Sequence, residues 1–514
     1  MVTRNLILPQ TYNDSIVLMQ YTVELEALPG VEKAAIMMGT PAVLQFLKEN
    51  ALLAADKQRI SADDVVLAAT GKDASALDDA LQKIAQKLRG NELHQGGGGT
   101  IPMQEKVRDE GVLWREVPAE ANVALISVPG QYAAAEAWQA LKSNRHVMIF
   151  SNDVSLADEI ALKKAAQERG LLVMGPDCGT AIINVIPLGF ANAVQAGDIG
   201  IVAAAGSGLQ ALTCLIDRLG GGITQAVGSG GRDLKKEVRG ITTRMALSML
   251  ANDEKTRVIV ILSKPPDAEI AREILTEAKK LPKPVVMCLL GMPWTKANDD
   301  NVHFASTILT AASKAVKLSK GVVGDEIVYK MPGKAKKTNG CLRGFYSGGT
   351  LAYEAYLLLQ KELGEIHSNT PLEEKYRIGL EGLDSGKHIV LDLGTEEFTI
   401  GRAHPMIDGR WRSELIAQTG HNREVLVVLL DIILGYGADE NPVGSIIESI
   451  RHAKETAAKE GRQLAFIAFI VSTERDPQNH AQQVALLQKA GVEMADNNEM
   501  AVQLAMRHLT EKLK

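Results

Sequence analysis

Three glycine turns lie between Met174 and Leu234, each at the end of an apolar run: Met174-Gly-Pro-Asp-Cys-Gly-Thr180, Ala205-Gly-Ser-Gly-Leu209 and Gly228-Ser-Gly-Gly-Arg-Asp-Leu234. The middle turn has the plainest chemistry. Residues 200–205 read as a buried strand and 209–219 as the helix after it. A turn of Gly206, Ser207 and Gly208 between them leaves free N–H groups at a helix start, where a phosphate would sit, and the Ser207 hydroxyl adds a donor. One such turn also arises from packing alone, because tight strand-to-helix turns need glycine. Three in one stretch make phosphate or nucleotide handling the leading reading. Gly175, Pro176, Asp177 and Cys178 of the first turn, with Pro129, Gly130 and Asn152 at two earlier strand ends, form candidate nucleotide-type loops. Gly230, Gly231, Arg232 and Asp233 of the third turn are candidates to line the same cleft.

Other polar residues also stand where strands end. Lys264, in Ser263-Lys-Pro-Pro266, suits a phosphate or carboxylate placed directly against it. Arg402, His404 and Asp408 share a loop with little helical or strand pattern. There Arg402 offers a bidentate grip on an anion and His404 a general acid or base; equally, Arg402 and Asp408 pair on the surface while Pro405 fixes the loop. The cluster Thr473-Glu-Arg-Asp-Pro477 either lines the cleft or caps the next helix. Asp392 and Asp431 end strands in the crevice position where α/β sheets bind ligands, so they either hold Mg²⁺ or cap turns. No metal ligand set is assigned.

The elements that must position these residues follow from composition and pattern. The chain has 514 residues, enough for three or four domains, with 46% apolar residues, 4% aromatics and 46 glycines, a balance that fits Ala/Val/Ile/Leu-rich α/β layers. A net charge of −6 argues against a nucleic-acid surface. Four dispersed cysteines, Cys178, Cys214, Cys288 and Cys341, suit reduced thiols and neither a disulfide framework nor a zinc site. The start lacks a signal-peptide pattern, and the best apolar run, 425–434, is cut by Asp431 and is too short to span a membrane. A cytoplasmic protein is expected.

Residues 1–93 alternate strand and helix patterns, as in a small ferredoxin-like α+β module. Its turn Gly39-Thr-Pro41 either holds an anion or starts a helix with Pro at the first position. Four glycines after His94 follow no apolar strand, so 94–118 read as a flexible linker with His94 solvated. From 119 onward, apolar runs without polar alternation indicate parallel sheets covered on both faces. The units fall at 119–194, 195–320 and 344–514, with 321–343 a charged linker whose loss of apolar pattern begins at Lys317. Glycine turns of the last unit are Ser347-Gly-Gly-Thr350, Asp392-Leu-Gly394 and Gly435-Tyr-Gly437.

These turns carry a family likeness. Met174-Gly-Pro-Asp-Cys-Gly-Thr180 resembles the turn that closes the CoA-binding domain of succinyl-CoA synthetase α subunits, and residues 200–208 are similar to the strand and turn opening their ligase domain. Residues 425–437 resemble the β-subunit ligase domain, which would make Gly435, Tyr436 and Gly437 the start of a second, opposing phosphate-facing helix. With Met38-Gly-Thr-Pro41, Ser263-Lys-Pro-Pro266 and Ala403-His-Pro-Met-Ile-Asp408, the whole looks like the FdrA/YahF family of acyl-CoA-synthetase-like proteins. The resemblance implies an α/β chain: a CoA-binding Rossmann-like domain, two flavodoxin-like ligase domains and the N-terminal module. The family's phosphohistidine turn is not matched; His303 is nearest, without the glycines, and Lys264 stands where a supporting glutamate would be. No length remains for an ATP-grasp domain.

The resemblance therefore implies a phosphate-using carbamoyltransferase of the oxamate type, in which oxalurate and phosphate give oxamate and carbamoyl phosphate. Lys264, Arg402 and His404 would be catalytic, phosphate or carbamoyl phosphate the ligand, and CoA a possible one. The alternative is an NDP-forming acyl-CoA ligase with phosphorylated His303 and a separate ATP-grasp subunit. A third reading is a non-catalytic CoA- or nucleotide-binding subunit. In each, partner subunits and oligomeric assembly are expected around a small carboxylate or carbamoyl substrate, with no nucleic acid or membrane.

Overall fold

The computed structural model describes residues 2–9, 11, 15–39, 41–53, 60–61, 64–91, 117–293, 298–322, 338–399 and 402–510. The glycine linker with His94 and most of the charged linker at 321–343 lie outside the described residues. Two compact units form, Met1–Pro118 with Thr395–His404, and Ala119–Gly394 with Pro405–Lys514.

In the first unit β1 (Val2–Leu8), α1 (Ser15–Glu26), β2 (Val31–Met38), α2 (Pro41–Glu49), β3 (Val65–Gly71) and α3 (Ala74–Asn91) alternate. Strand β3 lies between β1 and β2 and runs antiparallel to both, which gives the split βαβ of a ferredoxin-like module. All seven residues of β3 are buried, because successive side chains alternate between two covered faces. Leu67 and Ala69 pack with Leu18, Leu77 and Ile84 of α1 and α3, whereas Val66 and Ala68 meet Leu47 and Leu52. Pro41 opens α2, so the Gly39–Pro41 turn is a helix start.

The second unit begins with β4 (Val123–Ile126), α4 (Gly130–Lys142), β5 (His146–Ile149), α5 (Leu156–Glu168) and β6 (Val173–Met174), a parallel sheet in the order β4-β5-β6. An eight-stranded sheet follows from β7 (Thr180–Ile183), β8 (Ile186–Gly189), β9 (Ala196–Ala204), α6 (Gly206–Arg218), β10 (Ile223–Gly228), α7 (Ile241–Asn252), β11 (Val258–Ser263), α8 (Ala268–Ala278), β12 (Val285–Leu289), β13 (Asn298–Asp299), β14 (Val302–Phe304) and α9 (Ile308–Lys320). Its order is β13-β14-β12-β11-β9-β10-β7-β8. The hairpin β7–β8 thus joins this sheet and not the one that precedes it. Helix α9 runs on through Lys317, where the apolar pattern is lost: Lys317 and Lys320 form its last turn, where cations favour the negative helix end, and Gly321 closes it in the left-handed region.

The chain continues through β15 (Cys341–Tyr346), α10 (Gly349–Leu363), β16 (Ile389–Asp392) and the short α11 (Glu396–Thr399), which clusters with the first unit. Then come α12 (Arg410–Gln418), β17 (Val425–Ile433), α13 (Ile447–Lys459), β18 (Ala465–Val471), α14 (His480–Lys489), β19 (Glu493–Ala495) and α15 (Asn498–Thr510). These strands form a parallel sheet ordered β16-β15-β17-β18-β19. Both large sheets contain the flavodoxin-like order 2-1-3-4-5, the first as β10-β9-β11-β12-β14. The strand order reverses beside β9 in one sheet and beside β15 in the other. Ligand crevices belong at those points.

One apolar core joins the two large sheets through α6, α9, α10 and α15, with Leu212, Ile308, Tyr356, Phe469 and Met506 all buried in it. Glu354 of α10 is embedded there, 3% exposed, accepting from Ile308 N at 2.7 Å and Asn498 Nδ2 at 2.9 Å. Burial pushes its carboxyl from the ordinary 4.5 up to about 7, against those two hydrogen bonds. The folded chain therefore holds this proton more tightly than the unfolded chain does. The resulting stability is complete below about pH 4.5 and is lost as pH rises to about 7. Glu354→Gln, which cannot ionise, should gain stability relative to wild type between pH 5 and pH 7.5, by up to roughly 3 kcal/mol. Parallel thermal-unfolding profiles for the two proteins across that range would exclude a titrating Glu354.

Candidate functional site

The two reversal points meet head to head. Ala205, extended at the end of β9, is the N-cap of α6, so Gly206, Ser207 and Gly208 form that helix's first turn. Opposite, Ser347 follows the last residue of β15, Gly348 caps α10, and Gly349 and Thr350 open it. Thr350 N donates to Ser207 Oγ at 3.2 Å, across the seam between the sheets. Glycine is required by this approach: a Cβ at Gly208 would come within 2.6 Å of Thr350 Cγ2, and one at Gly348 within 2.7 Å of Ser207 Cβ. Among the described residues, no side chain bonds the amides of Gly206, Ser207 or Gly208, as expected for the first turn of a helix.

Asp431 fixes the α10 side. Fully buried, it accepts from Ser347 N at 2.8 Å, Ser347 Oγ at 2.9 Å and Gly348 N at 2.7 Å, and Arg412 reaches it at 3.0 Å. Its role is to cap the turn. Asp392, at the end of β16, accepts from Gly394 N at 3.0 Å, and Asn369 brackets its backbone at 2.9 Å on both sides. Lys264, just past β11, places Nζ 3.9 Å from Asp392 Oδ2 with its side chain 43% exposed. A Cβ on Gly349 would lie 2.8 Å from that ammonium. Asp177, from the turn after β6, completes the group: desolvation raises its carboxyl above the usual range, with Lys264 opposing and Asp392 reinforcing the shift. Three sheets thus deliver Asp177, Lys264 and Asp392 to one mouth.

The first and third glycine turns pack on each other, with Gly175 and Gly230 both at positive φ and a Cβ at Gly230 only 2.7 Å from Pro176 O. Cys178 is buried beneath them, its Sγ 3.3 Å from Gly228 O and its thiol pushed up to about 12 by burial. Asp233 is part of a buried cluster: it takes Lys163 Nζ at 2.8 Å, Thr243 Oγ1 at 2.6 Å and the amides of Thr242 and Thr243. Lys163 also bonds Glu159 at 2.9 Å, and Arg232 pairs with Glu159 at 2.8 Å. Asp233 and Arg232 therefore brace the loop, and Gly231 faces open space. Pro129, Gly130 and Asn152 meet at the ends of β4 and β5, where Pro129 caps α4.

Several expected residues sit elsewhere. The Gly435–Gly437 turn opens no helix; the next helix, α13, starts at Ile447. The Gly435 amide donates to Gln478 at 3.0 Å and that of Tyr436 to Ala191 O at 2.8 Å, while Gly437 packs on Phe190. Those groups are spent on the chain itself. The opposing helix start is Gly348–Thr350, a turn that directly precedes a helix pattern. Arg402 and His404 fall in the 395–404 segment of the other compact unit, where burial holds the His404 imidazole down to about 4. Asp408 pairs with Arg410 at 2.7 Å instead of Arg402. Asp476, within the Thr473–Pro477 cluster, takes Asn192 and the Ala193 amide at 2.8 Å, and Asn479 caps α14. His303 lies inside β14, opposite Val286 and three residues short of the β12 end, with Nδ1 3.1 Å from Asn298 Oδ1.

The CoA-ligase family profile matches residues 345–508, and the profile described as AllF, heavy metal-associated domain, matches residues 1–102. The protein YahF of Escherichia coli K12, which carries no assigned activity, is 38% identical over 97% of both chains. This decides the family. The chain belongs to the FdrA/YahF family. The α subunit 2 of an ADP-forming succinate–CoA ligase from Archaeoglobus fulgidus is 27% identical over 38% of this chain and 68% of its own. Subunit SauD of an ADP-forming sulfoacetate-CoA ligase from Bilophila wadsworthia is 26% identical over 46% of this chain and 78% of its own. The scaffold of this FdrA/YahF member is thus CoA-ligase-like. A bound heavy metal does not fit its N-terminal module, because residues 1–102 hold no cysteine and only one histidine, His94. Among the described residues, no cluster of three or more His, Cys, Asp or Glu side chains could hold a metal, and no helix is long and apolar enough to cross a membrane.

The seam predicts a contrast between neighbouring glycines. Gly208→Ala must push against Thr350 and should lower the unfolding temperature by several degrees, as overpacking costs about 1–3 kcal/mol. Gly206→Ala, whose new methyl meets nothing closer than Thr180 Oγ1 at 3.9 Å, should leave it nearly unchanged. Equal melting temperatures for the two variants would refute the tight α6–α10 contact.

Proposed function

We propose that the α6–α10 seam is a phosphoryl site and that this chain handles the acyl-phosphate half of a CoA-ligase-type reaction together with partner subunits. In that half-reaction a thiolate of CoA attacks the acyl carbon, the bond from that carbon to the phosphate oxygen breaks, and phosphate leaves; the reverse makes acyl phosphate. One observation carries the reading: two helix starts from different sheets converge, with Thr350 N 3.2 Å from Ser207 Oγ, and Lys264 stands beside them. Each helix start presents about half a positive charge, so with the ammonium the seam favours a multiply charged anion. Lys264 would stabilise charge on the departing phosphate. CoA would lie against the loops of Pro129, Gly130, Asn152 and Gly175–Cys178. The two ligase relatives are named as subunits, which supports partner subunits here.

A second reading, direct transfer of a carbamoyl group to phosphate, is favoured by one feature: the cleft mouth carries Lys264, whereas His303 is inside β14. The two readings share the site and differ in the bond exchanged for the one to phosphate: the carbon–sulfur bond of acyl-CoA, releasing the thiol, in the first, and the carbamoyl carbon–nitrogen bond of oxalurate, releasing oxamate, in the second. Both predict that Lys264→Ala lowers turnover about a hundredfold, the usual cost of one charge-assisted contact made in the transition state, while His303→Ala stays near wild type. Assays should follow phosphate release from acetyl phosphate with CoA, and carbamoyl phosphate formation from oxalurate. An acid-labile phosphoenzyme that disappears in His303→Ala would overturn direct transfer.

A further inference from the structure

We infer that the phosphoryl cleft continues into a second subsite, headed by the Tyr353 hydroxyl, that takes the carbonyl end of an acyl phosphate; this rests on the phosphoryl reading of the seam. Thr350 and Tyr353 stand three residues apart on α10, so they share one helix face with Cβ atoms about 5–6 Å apart. Both are buried, 1% and 7% exposed, and among the described residues neither hydroxyl oxygen has a hydrogen-bond partner. Two such hydroxyls on one face are unusual, because each carries a desolvation penalty that no described residue offsets.

Their surroundings give the direction. The methyl of Thr350 faces Gly208 at the start of α6, which places this residue at the anion end of the helix face. The ring of Tyr353 extends to Gly291 and Pro265: a Cβ on Gly291 would lie 3.7 Å from both Tyr353 Oη and Pro265 Cγ, and 3.6 Å from Leu357 Cδ1. Pro265 follows Lys264 directly. One face of α10 therefore runs from the phosphoryl site, past the ammonium, to a tyrosine hydroxyl walled by Pro265 and Leu357. Burial also raises the Tyr353 phenol, so it stays protonated and donates. A ligand with phosphoryl oxygens at one end and a carbonyl oxygen at the other satisfies both hydroxyls, and the apolar walls keep its acyl substituent small.

Calorimetric titration of the full chain with inorganic phosphate and with hydrolysis-resistant acetonylphosphonate tests this. Wild type should bind both, the phosphonate more tightly. Thr350→Val should weaken both. Tyr353→Phe should leave phosphate binding unchanged and weaken phosphonate binding about tenfold, the effect of one lost hydrogen bond. Neither variant should melt below wild type, since each removes an unsatisfied buried group. If wild type binds phosphate but Tyr353→Phe changes neither affinity, or both equally, the second subsite falls while the phosphoryl site stands. If wild type binds neither probe, the phosphoryl site itself falls and takes the subsite with it.

Discussion

Two helices of this chain point their positive ends at each other, and most of the surrounding structure follows from that contact. Each start carries roughly half a positive charge that neighbouring water would normally screen. Here Ser207 and Thr350 are 8% and 1% exposed, so little water reaches the seam. On the α10 side, Asp431 offsets the field: it is wholly buried and takes two amides, a hydroxyl and a guanidinium. On the α6 side only the neutral Ser207 oxygen is engaged, by Thr350 N. Among the described residues no carboxylate answers α6. The seam is thus electrostatically incomplete in a way that an anion would complete.

Holding such an arrangement requires rigid neighbours. Asp431 can bind the Ser347–Gly348 turn only because Arg412, 4% exposed, pairs with it; alone, its buried charge would be costly. The loop between β10 and α7 is secured similarly, by a cluster in which Lys163, Glu159 and Asp233 are all essentially inaccessible. Lys163 and Glu159 come from α5, and Asp233 from the loop, so the cluster ties the small parallel sheet to the eight-stranded one. Removing one member would strand the others in a dry interior. Such clusters fix geometry more surely than they add stability.

Much of this was legible in the sequence because parallel strands buried on both faces read as continuous apolar runs, as 200–205, 258–262 and 425–431 do. Gly206–Gly208 was legible because a helix pattern begins immediately after it. The same signature marks Ser347-Gly-Gly-Thr350, and it separates that turn from Gly435–Gly437, where no helix follows before Ile447. Likeness to a relative's glycine turn outweighed that local cue. The hairpin of β7 and β8 was hidden because each strand is only four residues long, with Asn184 and Val185 at positive φ between them. Lys317–Lys320 read as linker because charge at a helix end resembles charge in a loop until the closing Gly321 is taken into account. The network of Asp233 was beyond reach, since its partners lie up to 70 residues away.

Lys264 shows why contact alone does not define a site. A lysine locked against a carboxylate at hydrogen-bond distance has its charge already neutralised and offers little to a ligand. Lys264 stands 3.9 Å from Asp392 Oδ2, a loose pairing, and its side chain is 43% exposed. Asp392 is meanwhile held by others, through Gly394 N and the two Asn369 bonds to its backbone. The carboxylate is therefore fixed by the fold and the ammonium is not. An anion entering the seam can draw Lys264 toward it without unmaking any bond that holds the sheet end together. Asp177 and Asp392, flanking it, keep the mouth from being uniformly positive, which disfavours indiscriminate anion binding.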